Sequence, residues 1–172
     1  MVRLGSTLML LAAAALIPGG GPAAAPVAAS PKAAAQAQLV RPLTLTRIAD
    51  MDFAALGVTT GGTATINPFN GTMSLSGGLV ALGGTVSPAR YAGAATKNGM
   101  VNIRVPNQPV LIRRVGGTET LTVGNFTLDG QDKRMMTSYG VFNFAVGARI
   151  TVPAGTVEGL YTGEIDVTVN YP

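Results

Sequence analysis

The chain has 172 residues and contains no cysteine, no histidine and no tryptophan. Without cysteine no disulfide can form, so the core must hold by burial alone. Without histidine or cysteine, the Ser-His-Asp and Cys-His constellations and the usual zinc sites cannot be assembled. Only 12% of the residues are charged and 5% are aromatic, a composition that suits a domain presenting Thr, Ser, Asn and Gly faces. Beyond the N-terminal region no apolar run approaches the roughly 18 residues a membrane span needs, and no lipobox cysteine is available. No convincing 3.6-residue apolar period occurs after residue 38, which removes amphipathic helices from the reading.

The N-terminus reads as an export leader. Arg3 precedes an apolar run from Leu8 to Ile17, too short to span a bilayer and trailed by small residues, as in a secretory signal peptide. Residues 1–37 are signal peptide plus an Ala/Pro/Gly low-complexity segment, and residues 38–172 a single domain. Two cleavage sites stay open, after Ala37 in Ala35-Gln36-Ala37 or after Ala29 in Val27-Ala28-Ala29, while Pro26 argues against cutting after Ala25. Cleavage after Ala37 removes Arg3 and Lys32 from 12 basic residues and leaves ten against 8 acids, a net charge of +2. The adjacent cations are Arg113-Arg114 and Lys133-Arg134, which read as solvated surface and not as a nucleic-acid patch. About 135 residues can support a core, since a domain near that size buries roughly 68–70% of its unfolded surface.

The positive signal is period two. From Leu160 to Tyr171, Tyr161, Gly163, Ile165, Val167, Val169 and Tyr171 share one parity and Thr162, Glu164, Asp166, Thr168 and Asn170 the other. This predicts one long terminal strand around which the chain is organised. The second-best strand is Val141 to Val152, with Phe142, Phe144, Val146, Ala148, Ile150 and Val152 on one face. Linked through Pro153–Gly159, the two predict an antiparallel hairpin. The expected core is Phe142, Phe144, Val146, Ile150, Tyr161, Ile165, Val167 and Val169.

Further strands are expected from Leu43 to Ile48, at an edge because of Pro42, and from Thr63 to Asn67, Thr72 to Ser76, Leu79 to Leu82, Thr85 to Ala92, Met100 to Val105, Val110 to Arg113 and Thr118 to Asn125. Asn70-Gly71 and Asn98-Gly99 are type I′ hairpin signals, the Gly-Gly pairs read as turns, and Asp129 to Ser138 reads as an exposed loop. Many short strands with turns every 8 to 12 residues predict an all-β fold, an Ig-like (pilin-like) antiparallel β-sandwich of roughly seven to ten strands.

Candidate chemistry is thin. Asp50/Asp52 is the nearest carboxylate pair, and a turn that caps the neighbouring backbone explains it better than catalysis. Glu164/Asp166 project from the wet parity of the last strand. Asn70-Gly71-Thr72 and Asn125-Phe126-Thr127 match the N-glycosylation pattern. Asp129, Asp132 and Glu119 fit no EF-hand spacing. The reading therefore assigns no catalytic, cofactor-binding or metal-binding residue and no cofactor.

Pro42-Leu43-Thr44-Leu45-Thr46, Asp50-Met51-Asp52-Phe53, Leu121 to Phe126 and the ending Gly159 to Tyr171 together resemble a bacterial secreted family catalogued as domain of unknown function 4402, over essentially the whole of residues 38–172. Members often carry Gly after the Asp-x-Asp-Phe stretch, where this chain has Ala54. The ending also resembles the last strand of spore coat protein U-like and archaic chaperone-usher pilin subunits, incomplete Ig-like sandwiches completed by a neighbour's strand. Those subunits usually carry a disulfide, absent here.

The resemblance implies a secreted or cell-surface structural protein, a fimbrial subunit or adhesive module located in the periplasm, on the outer surface or outside the cell. Its partners would be copies of itself or another surface subunit joined by strand pairing, with no nucleic acid and no integral membrane anchor. The alternative is an extracellular module that uses the loop Asp129–Ser138 and the Gly-rich hairpin ends to bind a glycan or envelope partner.

Overall fold

The computed structural model describes residues 31–172; residues 1–30 of the expected leader, with the cleavage site after Ala29, lie outside the described residues. Residues 31–38 carry no helix or strand, and Leu39–Pro172 form one compact unit. That unit holds eleven strands, and no helix occurs among the described residues. They are β1 (Thr44–Ala49), β2 (Ala55–Ile66), β3 (Met73–Gly83), β4 (Ala89–Ala94), β5 (Met100–Arg104), β6 (Val110–Arg114), β7 (Thr120–Leu128), β8 (Lys133–Met135), β9 (Val141–Val152), β10 (Tyr161–Thr162) and β11 (Thr168–Asn170).

All pairings are antiparallel. An eight-stranded sheet runs β1-β4-β9-β7-β6-β10 with β2 added to β9 and β3 to β2, and a three-stranded sheet runs β11-β5-β8. The fold is all-β and sandwich-like, with the larger sheet curling into a half-barrel. β1 lies at the edge that Pro42 predicts.

β9, not the terminal stretch, organises the molecule. Its apolar parity is buried at every position from Phe142 to Val152, each large side chain contributing roughly 1.5–3 kcal/mol. β7 pairs along one edge of β9; β4 takes Val141–Val146 on the other edge and β2 takes Arg149–Val152. The fork falls at Gly147, where a Cβ would meet the Ile66 carbonyl oxygen at 2.2 Å and Pro68 Cδ at 2.7 Å. Glycine lets the β2–β3 loop press against β9 between the two partners, and the sheet curls there.

Two clusters fill the interior along this one face. Phe142, Phe144 and Val146 pack with Tyr91 of β4 and with Val101, Ile103, Met136 and Val169 from the small-sheet side. Tyr91 stacks on its register partner Phe144 with ring centroids 5.1 Å apart. Ala148, Ile150 and Val152 pack with Leu121 and Val123 of β7 and with Ala64 and Leu79 of the β2–β3 hairpin.

The terminal stretch keeps its predicted parity but is not one strand. Tyr161–Thr162 pair with β6 in the large sheet, Thr168–Asn170 pair with β5 in the small one, and Gly163–Val167 belong to neither ladder. The expected hairpin with Val141–Val152 does not form, because both edges of β9 are taken by β2, β4 and β7. Of the expected core, Phe142, Phe144, Val146, Ile150 and Val169 are buried, whereas Tyr161, Ile165 and Val167 are half-buried.

Three local expectations also change. Asp129–Ser138 contains β8 and the buried Met136. Neither Asn-Gly pair forms a type I′ turn, which needs positive φ at both residues: Gly71 alone has it in the first pair (φ 71) and Asn98 alone in the second (φ 53). Asn98-Gly99 in fact links strands of different sheets. Gly61-Gly62 and Gly77-Gly78 lie inside β2 and β3 at a register break, where a Cβ at Gly62 would meet the Ser76 carbonyl at 2.2 Å.

Candidate functional site

The carboxylates singled out by sequence do not converge. Asp50 pairs with Arg47 three residues back, and Asp52 accepts a hydrogen bond from the Ala54 amide at 2.7 Å while its own backbone bridges Ser87. The Asp52 contact is the backbone cap that the turn-like spacing suggests. This turn holds Ala54 at φ 58, the left-handed region that favours glycine.

Glu119 is bound by Arg114, whose Nε donates to its carboxylate at 2.8 Å, and by the Thr118 amide at 3.1 Å. The hydrogen bond from Arg114, reinforced by backbone amides, lowers the Glu119 carboxyl to about 2 and raises the Arg114 guanidinium above its usual range. Asp129 is used internally as well. It accepts from Arg134 at 2.7 Å and from the Ala145 amide at 2.9 Å. Arg134 also donates to the carbonyls of Gln131 and Asn143 and lies 5.8 Å from the Phe144 ring centroid. This arginine ties β8 of the small sheet to β9 of the large one, a role invisible in the dipeptide Lys133-Arg134. Among the described residues no three acidic, histidine or cysteine side chains gather as a metal site.

The first glycosylation-like triplet sits in the exposed β2–β3 turn and the second lies within β7, where Asn125 and Thr127 are exposed and Phe126 is half-buried. Asn70 Oδ1 accepts from the amide and hydroxyl of Thr72, and Asn125 stands at φ 50 in the β7 bulge.

What sequence did not foresee is a groove of about 750 Å³ where the chain leaves one sheet for the other. After Thr162 the ladder with β6 ends; at Gly163 the backbone still lies close against β6, where a Cβ would approach Ile112 Cγ2 to 2.6 Å. It passes Glu164 and Asp166, both exposed, along one side of the groove before rejoining β5 at Thr168. The lining also includes Arg104 of β5, the loop Pro106–Pro109, and Asp132 and Lys133. Asn102, also on the lining, has a buried Oδ1 with no hydrogen-bond partner, which costs about 1–3 kcal/mol while it stays unmet. No aromatic side chain lines the groove, so it offers hydrogen bonding, charge and unpaired backbone but no stacking platform. The signal that could have located it is the glycine inside the terminal alternation, a place where a strand is free to leave its sheet.

At the far end of the terminal segment, Tyr171 clips the unit together. Its hydroxyl donates to the Arg41 carbonyl at 2.6 Å and accepts from the Thr96 amide at 2.8 Å.

The family model described as Domain of unknown function (DUF4402) matches residues 43–171. No curated protein and no solved structure matches the chain.

Proposed function

The chain belongs to the DUF4402 family, whose description assigns no activity, and from that premise we propose that it is an exported structural module of the cell surface, a fimbria-like or adhesive subunit and not an enzyme. The observation that carries this reading is the crossing segment Gly163–Val167, which runs beside an open groove outside both ladders. Unladdered extended backbone beside a groove is what a strand from another chain can complete, in an Ig-like or pilin-like manner. The consumption of Asp50, Asp52, Asp129 and Glu119 by local ion pairs and caps supports a role without acid-base chemistry. The apolar run Leu8–Ile17 supports export to the periplasm, the outer surface or the medium.

N-terminal sequencing of the exported protein, combined with its mass in solution, tests the assembly. A start near Ser30 with multimers that resist dilution and vanish when residues 30–40 are deleted is the expected result. A start at Gln38 with a stable monomer overturns strand-completed assembly.

A second reading, a binding module for a glycan or envelope partner, draws on the unmet acceptor of Asn102 in the groove. The Asp129–Ser138 segment that first suggested it supports it less, since Asp129 and Arg134 are spent on each other. Retention of a soluble monomer on a cell-wall or capsule sugar array, lost in Asn102→Ala, would favour this second reading over the first.

A further inference from the structure

Oxidisable side chains are few in this chain. With no cysteine, histidine or tryptophan, its seven methionine thioethers are the groups most ready to take up an oxygen atom. Five of them lie among the described residues, and the fold sorts them sharply. Met136 is 4% exposed in the core, and Met51 and Met73 are half-buried against it. Met100 and Met135 are 42% and 72% exposed.

The two exposed thioethers are neighbours. Met100 of β5 stands opposite Met135 of β8 in the small sheet, so both side chains leave the same face. The Met136 amide donates to the Gly99 carbonyl at 2.7 Å, a ladder bond one residue beyond the pair. That places Met100 and Met135 in the non-hydrogen-bonded kind of pair, in which side chains approach more closely. Met135 and Met136 are consecutive, and the alternation of extended backbone sends one outward and the other into the core.

What holds β8 in place does not pass through either exposed thioether. Arg134 is tied to Asp129 at 2.7 Å and to the carbonyls of Gln131 and Asn143, and the Ile103 amide donates to the Asp132 carbonyl at 2.7 Å. An oxygen added to Sδ of Met100 or Met135 therefore meets water and breaks none of these bonds. At Met136 it would put a polar group into the cluster that holds Val101, Ile103 and Phe142.

We propose that Met100 and Met135 together form a reversible oxidation site for two-electron oxidants of the peroxide class. Thioether Sδ attacks one peroxide oxygen, the O–O bond breaks as the S–O bond forms, and the proton on the transferred oxygen leaves with the departing hydroxide as water. The sulfur loses two electrons and the peroxide gains them. The exposure that admits the oxidant also admits a dithiol sulfoxide reductase, which removes the oxygen as water while its two thiols become a disulfide. Neither methionine lines the groove, so the site stands apart from strand-completed assembly.

Timed exposure of the full chain to hydrogen peroxide, with fragment-ion mapping of its peptides, tests this. Met135 should gain oxygen first and Met100 next, each about tenfold or more ahead of Met136, and the chain carrying both oxygens should keep a cooperative thermal transition. A pair of methionine sulfoxide reductases, one for each sulfoxide epimer, should return it to the starting mass. The fast uptake should vanish in the double variant Met100→Leu, Met135→Leu and persist in Met136→Leu. The mapping and the repair need only the native chain, so they decide the matter even where a variant fails to fold. Oxidation of Met136 at the rate of Met135, loss of the cooperative transition once both oxygens are added, or sulfoxides that the reductases leave in place overturns the proposal.

Discussion

Ala54 sits where a side chain costs most for its size. At φ 58 an L-residue other than glycine carries about 1–2 kcal/mol of strain, and glycine's larger unfolded-state entropy returns about 0.4–1 kcal/mol of that. Ala54→Gly should therefore raise stability by about 0.5 kcal/mol, read as a higher denaturant midpoint at unchanged slope. Glu119 carries the pH dependence. Its folded pKa of about 2 lies below its ordinary value of 4.5, so the Arg114 pair stabilises the fold fully above that ordinary value and the contribution is lost as pH falls from there through about 2. Thermal midpoints measured across that window should drop in the native chain and drop less steeply in Glu119→Gln. Arg134 is the stronger structural residue, since from β8 of the small sheet it reaches Asn143 on β9 of the large one as well as Asp129, and its side chain is only 19% exposed. Arg134→Ala should cost about 1–3 kcal/mol by leaving the Asp129 carboxylate under-satisfied, and near-UV circular dichroism should report the loosened Phe144 environment.

At the scale of elements, β9 is the strand whose loss the fold cannot absorb. Phe144→Ala removes a side chain 2% exposed and stacked on Tyr91, and should cost about 3–5 kcal/mol in chemical unfolding. The terminal segment behaves differently along its length. Val169→Asp places a carboxylate in the core between the sheets and should unfold or abolish export of the protein, whereas Thr168→Asp on the exposed parity should be tolerated. Equal effects would mean that β11 pairs with β5 in another register.

For the whole molecule, strand completion at the groove is the contact that salt should move. The groove is lined by Asp132, Glu164 and Asp166 against Arg104 and Lys133, and residues 30–40 carry Lys32 with no acid, so strand completion through that segment should weaken modestly as ionic strength rises. Sedimentation at low and high salt in a single preparation checks this.

The all-β class, the burial of Phe142 through Val152 on one parity, the edge position of β1 and the capping role of Asp52 follow from the sequence alone, because each rests on a local period or a local hydrogen bond. Alternation states which side chains face inward but not which strand lies alongside, since every strand offers the same backbone donors and acceptors on both edges. The terminal alternation was legible to the residue, yet its division between two sheets depends on Gly163 meeting Ile112, a contact 51 positions away in the chain. The same holds for the centrality of β9, which comes from Gly147 admitting Ile66 and Pro68 between its neighbours, and for Arg134, whose partners Asp129 and Asn143 come together only when β7, β8 and β9 have packed. Periodicity is a property of one strand; sheet order, the groove and the cross-sheet arginine are properties of pairs, and only the packed chain decides them.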